Sequence, residues 1–166
     1  MSGFPYTADV DHEIGQVVAE FADCEFSEDE LGPDVSIAGR LVLSRDQGKM
    51  AFGTLADHTG RIQLFMRREF DPEAFERFVG LSLGDWVQVT GAVMKTRRGE
   101  LSLRIRSWEL LASTRRGFPD KWHGISDPDT RYRQRYVDLW VTDEARRAFA
   151  TRSRVVSLTR RWMEDR

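Results

Sequence analysis

Two consecutive stretches of the chain, 51–57 and 61–66, place aromatic and hydrogen-bonding side chains at alternate positions. In the second stretch the apolar set is Ile62, Leu64 and Met66, and the other set is Arg61, Gln63 and Phe65. Because side chains alternate across a strand, the second set should point away from the core. Phe52 has the corresponding position in the first stretch. Aromatic rings among hydrogen-bonding side chains on an exposed sheet face suit the stacking of unpaired bases.

An alternative interpretation applies to the two rings. An isolated phenylalanine in a strand commonly packs in the core, and Phe65 is open to that interpretation. For Phe52 the outward orientation is better supported, because Ala51, Gly53 and Leu55 already supply a small or apolar face to its strand.

The elements that would position these residues are strands. The stretch 39–63 predicts two strands and the start of a third, with turns at Gly48 and Gly60. Alternation begins at Val35 and recurs over 86–96 and 101–111. The run Asp71-Pro72-Glu73 predicts a short helix between the third and fourth strands, with Phe75, Phe78 and Val79 as its buried side. The order predicts an all-β core, a five-stranded OB-fold barrel whose strand 2–3 face binds oligonucleotides. A generic five-stranded sheet is the alternative.

Helices are predicted on both sides of this core. Apolar residues recur at helical spacing over 11–22, behind the candidate cap Asp11, and this helix should dock on the neighbouring domain. A second helix is predicted over 143–163 with Thr142 as its cap and an apolar stripe that includes Phe149 and Trp162. The predicted division is an acidic leader (1–34), an OB-fold domain (35–113), an extended connector (114–142) and a terminal helical segment (143–166).

Composition excludes several classes of protein. The 166 residues are 40% hydrophobic, enough for a proper core. No apolar run approaches the ~20 residues that cross a bilayer, so we expect a cytoplasmic chain that does not contact a membrane. Cys24 is the only cysteine, and His12, His58 and His123 lack ligand spacing, so neither a disulfide nor a metal site is expected.

Charge is distributed unevenly along the chain. Residues 1–34 hold ten acidic and no basic residues, which leaves 17 acidic against 25 basic residues after Asp34, a balance of +8. A basic body favours a polyanionic partner through counterion release. Ordinary solvated charge is the alternative.

Several runs carry a resemblance to a known family: VSIAGR, the Arg45-x-x-Gly48-Lys49 turn, GRIQLF, LGDWVQVTG, KTRRGELSL and PDKWHGISDPDTRYRQRYVDL. From Val35 to its last residue, nearly four fifths of its length, the chain resembles the N-terminal region of a bacterial class II lysyl-tRNA synthetase. The resemblance implies that the barrel binds tRNA and that Phe52 stacks on the central uridine of the lysine anticodon. It also implies that Gln63 and Arg45 hydrogen-bond to this base and that Glu100 contacts a neighbouring one. The predicted nucleic-acid-binding residues are Arg45, Lys49, Phe52, Arg61, Gln63, Phe65 and Glu100.

The resemblance also implies which parts of the family are missing. Residues 145–166 match only the beginning of the motif 1 helix, and motifs 2 and 3, which bind ATP and the adenylate, are absent from the sequence. We therefore expect this chain alone to be inactive as a lysine–tRNA ligase and to hold no cofactor, since ATP and magnesium would belong to the missing catalytic domain. The chain is either a truncated piece of a synthetase or a free-standing paralogue.

Two other functions remain open. One is an interaction or dimerisation module, in which the barrel is a scaffold and the terminal helix recruits a partner. The other is an unspecific binder of single-stranded nucleic acid. An apolar stripe on a terminal helix needs a partner, so we expect either a weak homodimer through 143–163 or a frayed C-terminus, and favour fraying in dilute solution.

Overall fold

The chain divides into two units in a computed structural model that describes residues 4–26, 30–115, 125 and 127–166. The first unit is Met1–Gly117 and the second is Phe118–Arg166. In the first, the elements are α1 (Ile14–Phe21), β1 (Asp34–Asp46), β2 (Met50–Ala56), β3 (Arg61–Arg67), α2 (Pro72–Val79), β4 (Trp86–Lys95) and β5 (Leu101–Ala112). In the second, they are α3 (Pro128–Arg133), α4 (Arg135–Val141) and α5 (Asp143–Glu164). The PDKWHG run at 119–124, part of the longest run that carries the family resemblance, lies outside the described residues.

The five strands close into a barrel in the order β1-β2-β3-β5-β4. Neighbouring strands are antiparallel, except that β3 and β5 pair in parallel over three positions, Gln63 to Phe65 with Ser102 to Arg104. This arrangement confirms the predicted all-β core and OB-fold class, with a short helix between the third and fourth strands. The closed order also rules out the generic sheet.

Alternating burial follows from the alternating sequence. In β2 every second residue is buried, and in β3 the predicted inward set, Ile62, Leu64 and Met66, is at most 4% exposed. Inward residues of the other strands complete one cluster. α2 joins this cluster through Phe75 and Phe78, both wholly buried. Its start is as predicted, because the Asp71 carboxylate accepts a hydrogen bond of 2.9 Å from the Ala74 amide.

The start of α1 differs from the prediction. Its cap is Glu13 rather than Asp11, whose carboxylate instead accepts from the Ser36 amide of β1 at 2.8 Å. The first amides of α1 are satisfied from the β2–β3 turn: Ile14 N–H donates to Asp57 Oδ2 at 2.9 Å and Gly15 N–H to Thr59 Oγ1 at 2.7 Å. This sequence-distant capping fixes α1 to the barrel. The predicted docking is confirmed, because Ile14, Val17 and Phe21 are buried in the barrel's core cluster.

Two tight turns connect neighbouring strands of the barrel. Gly48, between β1 and β2, has φ of +78°, and Gly99, between β4 and β5, has φ of +80°. An L side chain rarely adopts these values, so glycine lets each pair of strands reverse within a few residues. The second turn is closed by the Glu100 amide, which donates to Thr96 Oγ1 at 3.2 Å.

The second unit corrects the expectation of an extended connector over 114–142, because α3 and α4 lie inside that range. The reason is Asp138, which is wholly buried and accepts from Arg131 Nε at 3.0 Å, Arg135 Nη1 at 2.6 Å and Thr142 Oγ1 at 2.9 Å. These bonds join both short helices to the start of α5. Neither α5, with 22 residues, nor any other helix of the described segments is long and apolar enough to span a membrane.

Candidate nucleic-acid interface

A cleft of about 640 Å³ opens on the outer face of β2 and β3. Its size is within the range of about 300–1,000 Å³ usual for ligand sites. The walls come from the end of β1, from β2 and β3, and from the β4–β5 turn. Five predicted site residues line it together: Arg45, Phe52, Gln63, Phe65 and Glu100.

Strand register explains why three of these residues meet. Phe52 of β2 lies directly opposite Arg45 of β1 on one side and opposite Phe65 of β3 on the other. The two phenylalanine rings contact each other with centroids 5.2 Å apart and planes tilted by 38°. Gln63 follows on the same face of β3, opposite Thr54. The alternation seen in the sequence therefore places an aromatic ring beside an amide and a guanidinium.

Phe65 needs a correction. Sequence alternation placed its ring on the exposed face with Phe52, and the ring does line the cleft, but the residue is only 3% exposed. The Arg67 guanidinium lies over it, 5.7 Å from the ring centroid, and Phe52 packs on it from the next strand. A ring this covered cannot offer a free face to a base, so its contribution in this structure is to support Phe52, which is half-buried.

Gln63 is held by one residue of the β4–β5 turn and one of β5. Its Nε2 donates to Glu100 Oε2 at 2.6 Å, and its Oε1 accepts from the Ser102 hydroxyl at 2.9 Å. Ser102 is wholly buried and pairs with Gln63 in the β3–β5 ladder. The parallel pairing therefore brings these three side chains together across a sequence separation of 37 to 39 residues.

Cationic groups surround the cleft. Arg45, Arg97 and Arg98 are exposed at its rim, and Arg67 lines its wall while pairing with Glu69 at 3.2 Å. Guanidinium groups form forked hydrogen bonds with phosphate oxygens and stack on base planes. A ring for stacking, an amide for a base edge and arginines for phosphates are the parts of a single-stranded nucleic-acid site.

Two predicted residues lie outside the cleft. Lys49 is exposed on the β1–β2 turn and borders an adjacent depression with Met50 and Arg67. Arg61 is exposed at the start of β3, paired with Ala56 rather than with the aromatic positions. Sequence reasoning gave no site role to Arg97, Arg98 or Ser102. The first two were visible as the basic turn before Glu100, whereas the role of Ser102 depends on a strand pairing that the sequence does not display.

The wall of the cleft carries groups that can bind a ligand. Within the ranges that the structure describes, no group of three or more His, Cys, Asp or Glu side chains could hold a metal ion. The wall residues offer stacking, hydrogen bonding and positive charge.

Comparison with known families agrees with this chemistry. Residues 35–111 match the tRNA anticodon family, described as an OB-fold nucleic acid binding domain. The fold and the cleft therefore define this part of the chain as a nucleic-acid-binding OB-fold domain.

Known relatives narrow the class further. The chain is 43% identical over 169 residues to the lysine–tRNA ligase of Synechococcus sp. (strain CC9902), a match covering 98% of the chain and 34% of that relative. It is 43% identical to the lysine–tRNA ligase of Xanthomonas oryzae pv. oryzae over 94% of the chain and 32% of that relative. The corresponding ligase of Clostridium perfringens is 44% identical over 87% of the chain. The chain spans about a third of the length of the first two relatives. It carries an anticodon-binding OB-fold domain that matches the N-terminal region of lysyl-tRNA synthetases.

Proposed function

We propose that this chain recognises the uridine-rich anticodon of lysine tRNA, by stacking a base on Phe52 and reading its edge with Gln63 and Arg45. The observation that carries the proposal is the convergence of these three side chains in one cleft. The relatives named lysine–tRNA ligase supply the choice of tRNA. The cytoplasm, where anticodons are read in translation, is the location that goes with this function.

Hydrogen-bonding capacity supports a uracil in the cleft. The Watson–Crick edge of uracil carries two carbonyl acceptors on either side of one N–H donor. Gln63 offers both a donor and an acceptor, whereas Arg45 offers donors only. An amide facing the N–H and one carbonyl, with a guanidinium facing the other carbonyl, would satisfy the whole edge.

Charge supports an RNA partner but limits selectivity. The arginines at the rim attract any phosphate backbone, and the basic balance after Asp34 adds to this attraction. Only about three bases of an anticodon are available to be read, so we expect the isolated chain to bind weakly and with marked dependence on salt.

The test is titration of an isolated stem-loop with the anticodon UUU at two ionic strengths, against uridine and adenosine homopolymers. Preference for the stem-loop, with affinity falling as salt rises, is the expected result. Equal affinity for stem-loop and homopolymers would favour an unspecific single-strand binder. Binding unaffected by salt would contradict the role of the arginines.

We propose a second partner for the C-terminal unit, another copy of this chain. The exposed apolar side chains of α5 include Val155, Leu158 and Trp162, the last 57% exposed. Burying a large apolar side chain is worth roughly 1.5–3 kcal/mol, so this surface gains from cover. The area is small for a stable dimer, and association should be weak. Sedimentation at several concentrations, with hydrogen exchange over 143–163, distinguishes a protected dimer from a monomer whose helix frays.

A further inference from the structure

The side chain that would read the base edge is already bonded within the protein. The Gln63 amide has two N–H donors and a carbonyl oxygen with two lone pairs. One donor is used by the Glu100 carboxylate at 2.6 Å, and one lone pair by the Ser102 hydroxyl at 2.9 Å. One donor and one lone pair remain for a ligand.

The Glu100 carboxylate fixes the orientation of the Gln63 amide, because it requires the amide nitrogen to face it. If the amide were inverted, its oxygen would lie against Glu100 Oε2, and two acceptors would meet at 2.6 Å with no proton between them. Ser102 does not oppose inversion, because its hydroxyl could accept from the amide nitrogen and donate to the Glu100 carbonyl, 3.1 Å away. Glu100 therefore sets the orientation, whereas Ser102 anchors the amide in either one.

Glu100 itself is held where it can do this. Its backbone amide donates to Thr96 Oγ1 at 3.2 Å, and its carbonyl accepts from the Thr96 amide at 3.0 Å. The turn that carries it is closed by Gly99, whose amide donates to the Thr96 carbonyl at 2.7 Å. The carboxylate is thus presented from a compact turn rather than from a loose loop.

From these bonds we infer that Glu100 is a positioning residue for base selection, fixing the donor–acceptor order of the Gln63 amide in the free protein. The inference rests on the proposed function and deepens it. A fixed order matters because uracil and cytosine present opposite patterns: uracil offers an acceptor beside an N–H donor, whereas cytosine offers an amino donor beside a ring acceptor. An amide that fits uracil must invert to fit cytosine. Glu100 blocks the inversion, and cytosine is excluded.

The experiment measures affinity for two stem-loops that differ in one base, with UUU or UCU as the anticodon. Glu100→Gln keeps the size of the side chain but can accept or donate, so either amide orientation is allowed. In this variant we expect the ratio of the affinities for UUU and UCU to fall about tenfold, which is the order of discrimination carried by one bidentate base contact. Glu73→Gln removes the same charge from the exposed first turn of α2 and should retain the preference. Ser102→Ala should bind both RNAs more weakly while keeping their ratio.

The ratio of the two affinities separates this role from others. Loss of a negative charge near phosphates strengthens binding of both RNAs alike, and a loss of stability appears in the melting temperature. If the wild-type chain prefers UUU and Glu100→Gln retains the full preference, the positioning role is wrong and the proposed function stands. If the wild-type chain itself does not prefer UUU over UCU, the proposed function fails and this inference fails with it.

Discussion

At the scale of single residues, two adjacent phenylalanine rings differ in what they offer to a ligand. Phe52 is half-buried and keeps part of its surface in the cleft, whereas Phe65 lies beneath it and beneath Arg67. The difference arises from side-chain packing, since the Phe52 ring and the Arg67 guanidinium both lie against Phe65 and leave it 3% exposed, whereas Phe52 keeps an open side toward the cleft. The pair therefore combines one stacking surface with one support.

Replacing Phe52 with alanine should weaken binding of the UUU stem-loop by ~1–3 kcal/mol, the usual contribution of one stacked base. The fold should lose little, because the ring is only partly buried. Titration and thermal melting measure the two effects. Phe70→Ala is a matched control, because Phe70 is 55% exposed and lies outside the cleft. A large fall in melting temperature for Phe52→Ala, or equal binding losses in both variants, would contradict the stacking role.

Phe65→Ala should behave in the opposite way. The residue is 3% exposed, and truncating a buried phenylalanine typically costs about 3–5 kcal/mol of the free energy of unfolding. Chemical denaturation measures this cost. A variant as stable as the wild type would show that the ring is a platform rather than part of the packing, as its position in the sequence first suggested.

Residue types and alternation were enough to find most of the cleft, but not all of it. Phe52, Gln63 and Arg45 come together as expected from strand parity and from the family resemblance. The burial of Phe65 was not predictable in this way, because it depends on how the Phe52 and Arg67 side chains pack on its ring. The bond between Gln63 and Glu100 was not predictable either, because it depends on the parallel closure of β3 on β5. Alternation assigns a face to a residue and says nothing about which side chains cover that face.

At the scale of elements, Asp57 connects the β2–β3 turn to α1. Its carboxylate accepts from the Ile14 amide and from the amides of Thr59 and Gly60. Partial burial by itself raises the pKa of this carboxyl, but the hydrogen bonds from Thr59, Ile14 and Gly60 outweigh it and hold the pKa below its usual value. Bonds to the charged form thus favour ionisation in the folded state.

Asp57→Asn should destabilise the first unit by ~1.5–3 kcal/mol at neutral pH, because an amide nitrogen would face donors where an oxygen now accepts. A carboxyl with a lowered folded pKa contributes stability above its unfolded pKa, about 3.9, and loses it as pH falls through the folded value. The difference in free energy of unfolding between wild type and variant should therefore become smaller below about pH 4. Urea denaturation across pH measures this, with the exposed Asp23→Asn as control. A pH-independent gap would contradict the argument.

Element prediction failed where the decisive partner is distant. The cap of α1 was assigned to Asp11 from local spacing, whereas its first amides are satisfied by Asp57 and Thr59, more than forty residues away. Likewise α3 and α4 form around the buried Asp138, in a segment rich in basic residues and turn signals. The sequence signals of the strands and of α2 are local, and most of the predicted ends of these elements lie within two residues of the observed ends.

At the scale of the whole molecule, we propose that this chain does not activate lysine. Activation requires groups that position the ATP phosphates and the lysine carboxylate together. The cleft on the barrel offers a ring, an amide and arginines suited to bases and backbone phosphates. Lysine-dependent ATP–pyrophosphate exchange by the purified chain, free of host synthetase, should be absent. Exchange above the level of a mock purification would contradict this proposal.

The closure of the barrel has a kinetic consequence. β3 and β5 are joined by only three residue pairs, in the slightly less stable parallel geometry, so this seam is where the ring of strands should open first. Gln63 and Ser102 both belong to this seam, and Gln63 also lines the cleft. An RNA lying across β2, β3 and the β4–β5 turn would contact both sides of the seam. Binding should therefore slow amide exchange at 63–65 and 102–104 more than along β1 and β4. A bound oligonucleotide would therefore stabilise the barrel against opening as well as being its ligand.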